Sequence, residues 1–540
     1  MANRIKKNQE TKSTVQENMA LIMGIFTLAV LCGLPVVFHN AYFDILETKY
    51  RFYCAVSITM IIVMAVYGLI NGKIVSYFKT FRIQNVVKSL NVVDWAMLIF
   101  WLANVLSWLC CKEWRWEAFW GTSGRYTGAF LITVYMVVYF IMTRCFVFRR
   151  WYLDAFLAVG LFVCLFGITD YFQMDILGFK VRMVPTQKAI YTSTLGNINT
   201  YTVYVGAVMV VSMILFAMEK NQKRMIWYYI CLVTSCFALI MGCSDNAYLT
   251  LAALFGLSPL YLFRTKTGTE RYLISLATFF SVIQCIDWIN TACAESIVGI
   301  DSAFNIIAGM KILPVIVIGL WVIAAGVTAL FIKQKKNAAP TDGSDPETMG
   351  KWLFYAWIGV IILVVGIVAF AFYDATAAGN SERYGVLAPY VTFDDAWGTK
   401  RGYVWRCSMD IWANKLTPLQ KIIGYGADTF RLLMQEYYPG EIVNGKMIIY
   451  DSAHNEYLQY LVTVGIVGMI SYVVFMVSSV ATMAGRIKDH PEVAAVMFAI
   501  AAYAVQALVN INLPIVMPVI VQLLAMGLAK TPVAEEKSGR

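Results

Sequence analysis

The stretch DSAHNEYLQYLVTVGIVGMISYVVFM, residues Asp451–Met476, puts a histidine where a polar loop enters a long apolar run. It is one of three histidines in 540 residues. An uncharged run of this length reads as a membrane helix, and histidine is the side chain that most readily moves a proton near neutral pH. Asp451 and Ser452 can cap such a helix, which would set His454 in its first turn. The partial positive charge of a helix N-terminus disfavours imidazolium, so a neutral ring there can accept a proton from an incoming hydroxyl. A histidine bonded only to loop backbone is the competing reading of the same residues.

The rest of the chain supplies the same solvent. It is 59% hydrophobic and 14% charged, with mean hydropathy +0.65, where a soluble chain carries about 25% charged residues. Apolar runs near 19–38, 51–71, 93–111, 126–143, 151–171, 197–218 and 225–243 read as spans, as do those near 245–263, 271–291, 306–332, 352–373, 454–483, 493–511 and 514–529. The expectation is an all-α integral membrane protein of about fourteen transmembrane helices. The first run, behind MANRIKKNQETK, reads as a retained signal anchor, because no small-residue cleavage site follows it.

Charge sets the sidedness. Lys73, Lys79, Arg82 and Lys88, then Arg144, Arg149 and Arg150, then Lys220, Lys223 and Arg224 fall on alternate connections. By the positive-inside rule both termini are cytoplasmic. The net charge of +10 then needs no nucleic acid to explain it. Twelve scattered cysteines show no C-x-x-C, and with three distant histidines no metal site or other cofactor is expected.

The organisation expected is an N-terminal bundle (1–373) with a cytoplasmic linker (333–351), an extracytoplasmic loop (374–453), and C-terminal helices (454–540). In the loop, a helix over Thr399–Leu416 ends before Pro418, with Trp405, Ile411 and Trp412 suited to the lipid interface. Arg401 and Arg406 are five residues apart, about 140° on a helix, so they cannot serve one small site. Arg401, in register with Trp405, is the better candidate to face inward. Gly424 and Gly426 permit either a close approach to a ligand or a turn. Outer-face groups elsewhere are Arg125 (in GTSGRYTG), Arg182, Asn197 and Asn199 (in TLGNINTY), and Asp245 (in GCSDNAY). Each serves equally as a cap or an interface anchor; as a cluster at one face they suggest a site, since charge at a membrane is costly.

Three consecutive pieces resemble the O-antigen ligase and polymerase superfamily of bacterial membrane glycosyltransferases. They are Arg401 with Trp405, the segment PLQKIIGYGADTF (Pro418–Phe430), and HNEYLQYLVTVGIVG from His454, with Asn455 beside the histidine. GNINTY and RYTG resemble family patterns more loosely. The resemblance implies a GT-C-like fold with a large outer loop. It implies an undecaprenyl-pyrophosphate-linked glycan donor and a glycan or lipid acceptor, at the outer face of the cytoplasmic membrane. His454 would be the base or hydroxyl-orienting group, and Arg401 would bind the pyrophosphate through its planar fork. Where relatives carry Ser-Arg, this chain has Ser244-Asp245. Arg125, Arg182 or Arg406 would then supply the second charge, or Asp245 would orient His454 or an acceptor hydroxyl. Ligation to a distinct acceptor and polymerisation of lipid-linked repeat units remain alternatives. A lipid-linked oligosaccharide flippase is disfavoured, because polar groups crowd the outer ends of the runs and not the midplane.

Overall fold

A computed structural model of the chain describes residues 2–80, 82–122, 124–300, 302–337, 348–440, 442–443, 446–447 and 449–529. Most of the expected linker, 338–347, lies outside the described residues. Apart from two antiparallel pairs of two-residue strands, Tyr191–Thr192 with Gly196–Asn197 and Ile442–Val443 with Lys446–Met447, the described residues form helices and their connections.

Each of the fourteen apolar runs holds a helix. Ten are long and apolar enough to cross a membrane, among them Ile45–Ile70, Val92–Cys110, Ile198–Met218 and Gly465–Arg486. Four are shorter: Ala129–Cys145, Ala247–Leu262, Val493–Gln506 and Met517–Leu528. At 1.5 Å per residue, a fourteen-residue helix such as Val493–Gln506 rises about 21 Å, less than the hydrocarbon thickness.

One expected span is really two helices. The run near 454–483 divides into Glu456–Thr463 and Gly465–Arg486. Gly465 takes φ +76°, and a Cβ there would stand 2.3 Å from the Ile422 carbonyl oxygen and 2.5 Å from the Gly424 nitrogen. Gly424, at φ +85°, is the matching half of this crossing: its Cβ would meet the Thr463 carbonyl oxygen at 2.2 Å. The helix break leaves that carbonyl free to accept from Gly426 N (3.0 Å) and Ser107 Oγ (2.7 Å). The two glycines of GYG therefore brace backbone against backbone.

The chain forms two compact units, cut differently from the sequential partition at 373 and 453. The first comprises 1–159, 407–500 and 507–540. In it, Gly465–Arg486 packs along Val92–Cys110, with Phe100 between Tyr460 and Tyr472 at ring separations of 5.0 and 5.2 Å. Asp94 opens Val92–Cys110 through a capping box with Asn91 and receives Arg144 at 3.1 Å and Tyr139 at 2.9 Å. Gln522 donates to Thr27 (2.7 Å), tying the last described helix to the first.

The second unit comprises 160–406 and 501–506. Ile198–Met218 is its axis, 94% buried, whereas Leu313–Gln334 and Lys351–Ala377 are 6% and 0% buried. The two least buried helices are more apolar in sequence than the most buried one, which is stable only where the surrounding solvent is lipid as well as protein. Arg271 closes the end of Ile198–Met218 by donating to the Phe216 carbonyl at 2.7 Å and to that of Glu219.

Candidate functional site

His454 is not in the first turn of its helix, which corrects the expected cap. Asn455 is the N-cap, its side chain accepting from Leu458 N at 3.0 Å, and His454 precedes it with φ +47°. The two residues expected to cap are committed elsewhere. Asp451 pairs with Arg125, and Ser452 Oγ accepts from His454 N at 3.3 Å. Gln459 Oε1 takes Ala453 N (2.9 Å), and Glu456 N donates to the Ala507 carbonyl (2.9 Å). A left-handed non-glycine residue is uncommon and persists where its surroundings over-determine it. Here each residue from Ala453 to Glu456 makes a specific bond.

Around this loop the first unit gathers charge that sequence reading did not place. Asp428 Oδ2 accepts from Thr122 N (2.8 Å), Thr127 N (3.1 Å) and Thr122 Oγ1 (3.3 Å), so it holds both flanks of Arg125. Burial pushes the Asp428 carboxyl up to about 6, against the opposing pull of these donors and of Arg125. A small cavity of about 20 Å³, room for about one water, is lined by Arg125, Thr127, Asp428, Glu456, Gln459 and Asn512, among others. Glu456 is buried and accepts from Tyr472 Oη at 2.5 Å; Asn512 donates to Tyr460 Oη at 3.0 Å. Arg125 Nε and Asn512 Oδ1 are buried without a hydrogen-bond partner among the described residues. The ring of Tyr126 stacks on Tyr50 at 4.8 Å.

Glu456 was legible in principle, as an acid buried at the head of an apolar helix. Asp428 and the Arg125–Asp451 pair were not, since their partners lie 301 to 326 residues away.

The second unit holds Arg401. Its helix is Trp397–Asp410, continued by a wider turn Ile411–Lys415, close to the expected Thr399–Leu416. Gly398, Thr399 and Lys400 have φ of +57°, +59° and +72°, so regular helix begins at Arg401. Thr417 then caps the helix opened by Pro418. Burial lowers the Arg401 pKa, and the charge of Asp245 works the other way. Asp245 is thus an electrostatic neighbour of Arg401; it also accepts from Ala303 N at 3.3 Å. Arg406 does lie on another face, forked onto Asp395 at 2.9 and 2.7 Å.

The asparagines are built into the scaffold. Asn197 caps Ile198–Met218 by accepting from Asn199 N (2.9 Å). Asn199 Oδ1 accepts from Ser244 (2.6 Å), and Asn246 bonds Thr202 and the Asn199 carbonyl at 2.6 and 3.2 Å. Arg182 is exposed. The expected residues thus fall into two sets. Arg125, Gly424, Gly426, His454 and Asn455 lie in the first unit; Arg182, Asn197, Asn199, Asp245, Arg401 and Arg406 lie in the second.

Residues 302–473 match the family model described as O-antigen ligase. The matched stretch contains Arg401, Arg406, Gly424, Gly426, His454 and Asn455. No curated protein shows a significant match to the chain. Over that stretch, about a third of its length, the chain is similar to the O-antigen ligase family. With ten helices among the described residues apolar and long enough to span, the chain is a multi-pass membrane protein, and the match supports a glycan-assembly role of the ligase or polymerase kind.

Proposed function

We propose, with that family match as the premise, that the chain transfers a glycan from an undecaprenyl-pyrophosphate carrier to an acceptor hydroxyl at the outer face of the cytoplasmic membrane. The acceptor oxygen attacks the anomeric carbon while the bond from that carbon to the diphosphate oxygen breaks. His454 takes the hydroxyl proton, and the diphosphate leaves with the bonding electrons. Arg401 meets the charge that grows on the leaving group, the main electrostatic demand of such a transfer. Its burial strengthens any bond to phosphate by keeping water away.

The observation that carries this reading is the build of the His454 loop. A left-handed histidine fixed by Ser452, with Gln459 and the Asn455 cap securing its neighbours, is held for a task that depends on orientation. Both arginine and histidine lie within the O-antigen ligase match.

The test is reconstitution of purified protein with a defined undecaprenyl-pyrophosphate oligosaccharide and an acceptor. His454→Ala and Arg401→Ala are expected to insert normally and form no product, while wild type does. Full activity in both variants would end the enzyme reading. Product size separates the two kinds of transfer: a ladder means polymerisation, and one addition to a distinct acceptor means ligation. Movement of unaltered substrate across the bilayer would instead make the protein a transporter.

A further inference from the structure

We infer that Arg125 is a positioning residue for His454 and not a phosphate ligand: its ion pair with Asp451, seated by Asp428, anchors the loop that presents the histidine. The inference rests on reading His454 as the base. Arg125 is 9% exposed, and its guanidinium is committed to a carboxylate three residues before His454. Its own segment cannot drift, because Asp428 accepts from the backbone on both sides of it, at Thr122 and Thr127. The anchor acts on a loop that needs one. Left-handed backbone at a histidine is strained, so loss of a neighbouring tether lets the loop relax.

The same pocket argues against an anionic ligand. Asp428 and Glu456 line it with Arg125, and Asp451 already pairs with the guanidinium. A diphosphate entering there would face three carboxylates for one arginine. Repulsion between like charges at a few ångströms exceeds what a single paired guanidinium returns.

The chain's three histidines make a direct test possible. Diethyl pyrocarbonate modification, followed by mass spectrometry, reports His454 with His39 and His490 as internal controls; the His39 side chain is 79% exposed. Arg125→Ala is expected to speed modification of His454 by about threefold or more, as local loop opening does, with both controls unchanged. Asp451→Asn, altered at the more exposed end of the pair, is expected to act in the same direction and covers the case in which Arg125→Ala fails to fold. In turnover, Arg125→Ala is expected to lower kcat with the donor KM little changed. Unchanged modification in both single variants, or a raised donor KM at constant kcat, would overturn the inference. An active His454→Ala would overturn the base assignment alone, because the modification readout needs no substrate.

Discussion

Two arginines, each paired with an aspartate, differ only in their surroundings. Arg406 forks onto Asp395 with ideal geometry, yet the side chains are 57% and 51% exposed. Arg125 meets Asp451 with its side chain 9% exposed, and Asp451 at 45%. Exposed pairs contribute about 0–1 kcal/mol, since water and salt screen them. Breaking a buried pair by removing one partner costs about 3–5 kcal/mol, because the survivor is stranded. Good geometry is therefore no guide to importance; the setting decides. The segment 374–453 is itself divided: residues up to Arg406 belong to one unit, and those from Cys407 on, including buried Asp428, belong to the other.

The largest effect expected is at the backbone crossing beside the histidine loop. Gly424→Ala forces a Cβ to 2.2 Å from the Thr463 carbonyl at φ +85°, and a loss of about 3 kcal/mol or more is expected in detergent thermal unfolding. A wild-type melting curve would show that the crossing is not rigid. Next comes Arg125→Ala, at about 2–3 kcal/mol, below the fully buried range because Asp451 is half exposed. A loss as small as that of Arg406→Ala would erase the comparison of the two pairs.

Asp428 sharpens it further through pH. Its carboxyl is raised from 3.8 to about 6 by burial, so the folded state binds the proton more tightly than the unfolded chain. Its contribution is most favourable below about 4 and declines as pH rises through about 6. Asp428→Asn keeps an acceptor for Thr122 and Thr127 and removes the titration. The fall in stability between pH 4 and 7 is expected to shrink by on the order of 2–3 kcal/mol. An unaltered pH profile would mean the carboxylate is well solvated. Smallest is Arg406→Gln, expected to change melting by less than about 1 kcal/mol; a larger loss would show that exposed pair to be structural.

The fold was largely legible because hydrocarbon thickness sets a minimum length for a spanning run: each of the fourteen runs holds a helix, ten of them long enough to cross. What escaped was set by tertiary approach. Nothing local announced that Gly465 would end one helix and begin another; the cause is the Gly424 strand of backbone pressed against it. The capping residue was misplaced by four because Asp451, a good cap by type, finds a guanidinium 326 residues away. Gly424 and Gly426 were read as a turn or a ligand approach, and their neighbours proved to be Thr463, Val464 and Cys111. The histidine segment itself was visible because a polar group at the mouth of an apolar run has few structural reasons to be there.

Proton abstraction by His454 is the central step of the proposed transfer. The most direct measurement is single-turnover glycan transfer from a defined undecaprenyl-pyrophosphate oligosaccharide by reconstituted wild type and His454→Ala, with donor binding measured in parallel. The expected result is a rate lowered about 10²–10⁴-fold, the usual worth of a general base, with donor affinity retained. Transfer by His454→Ala at the wild-type rate would contradict it.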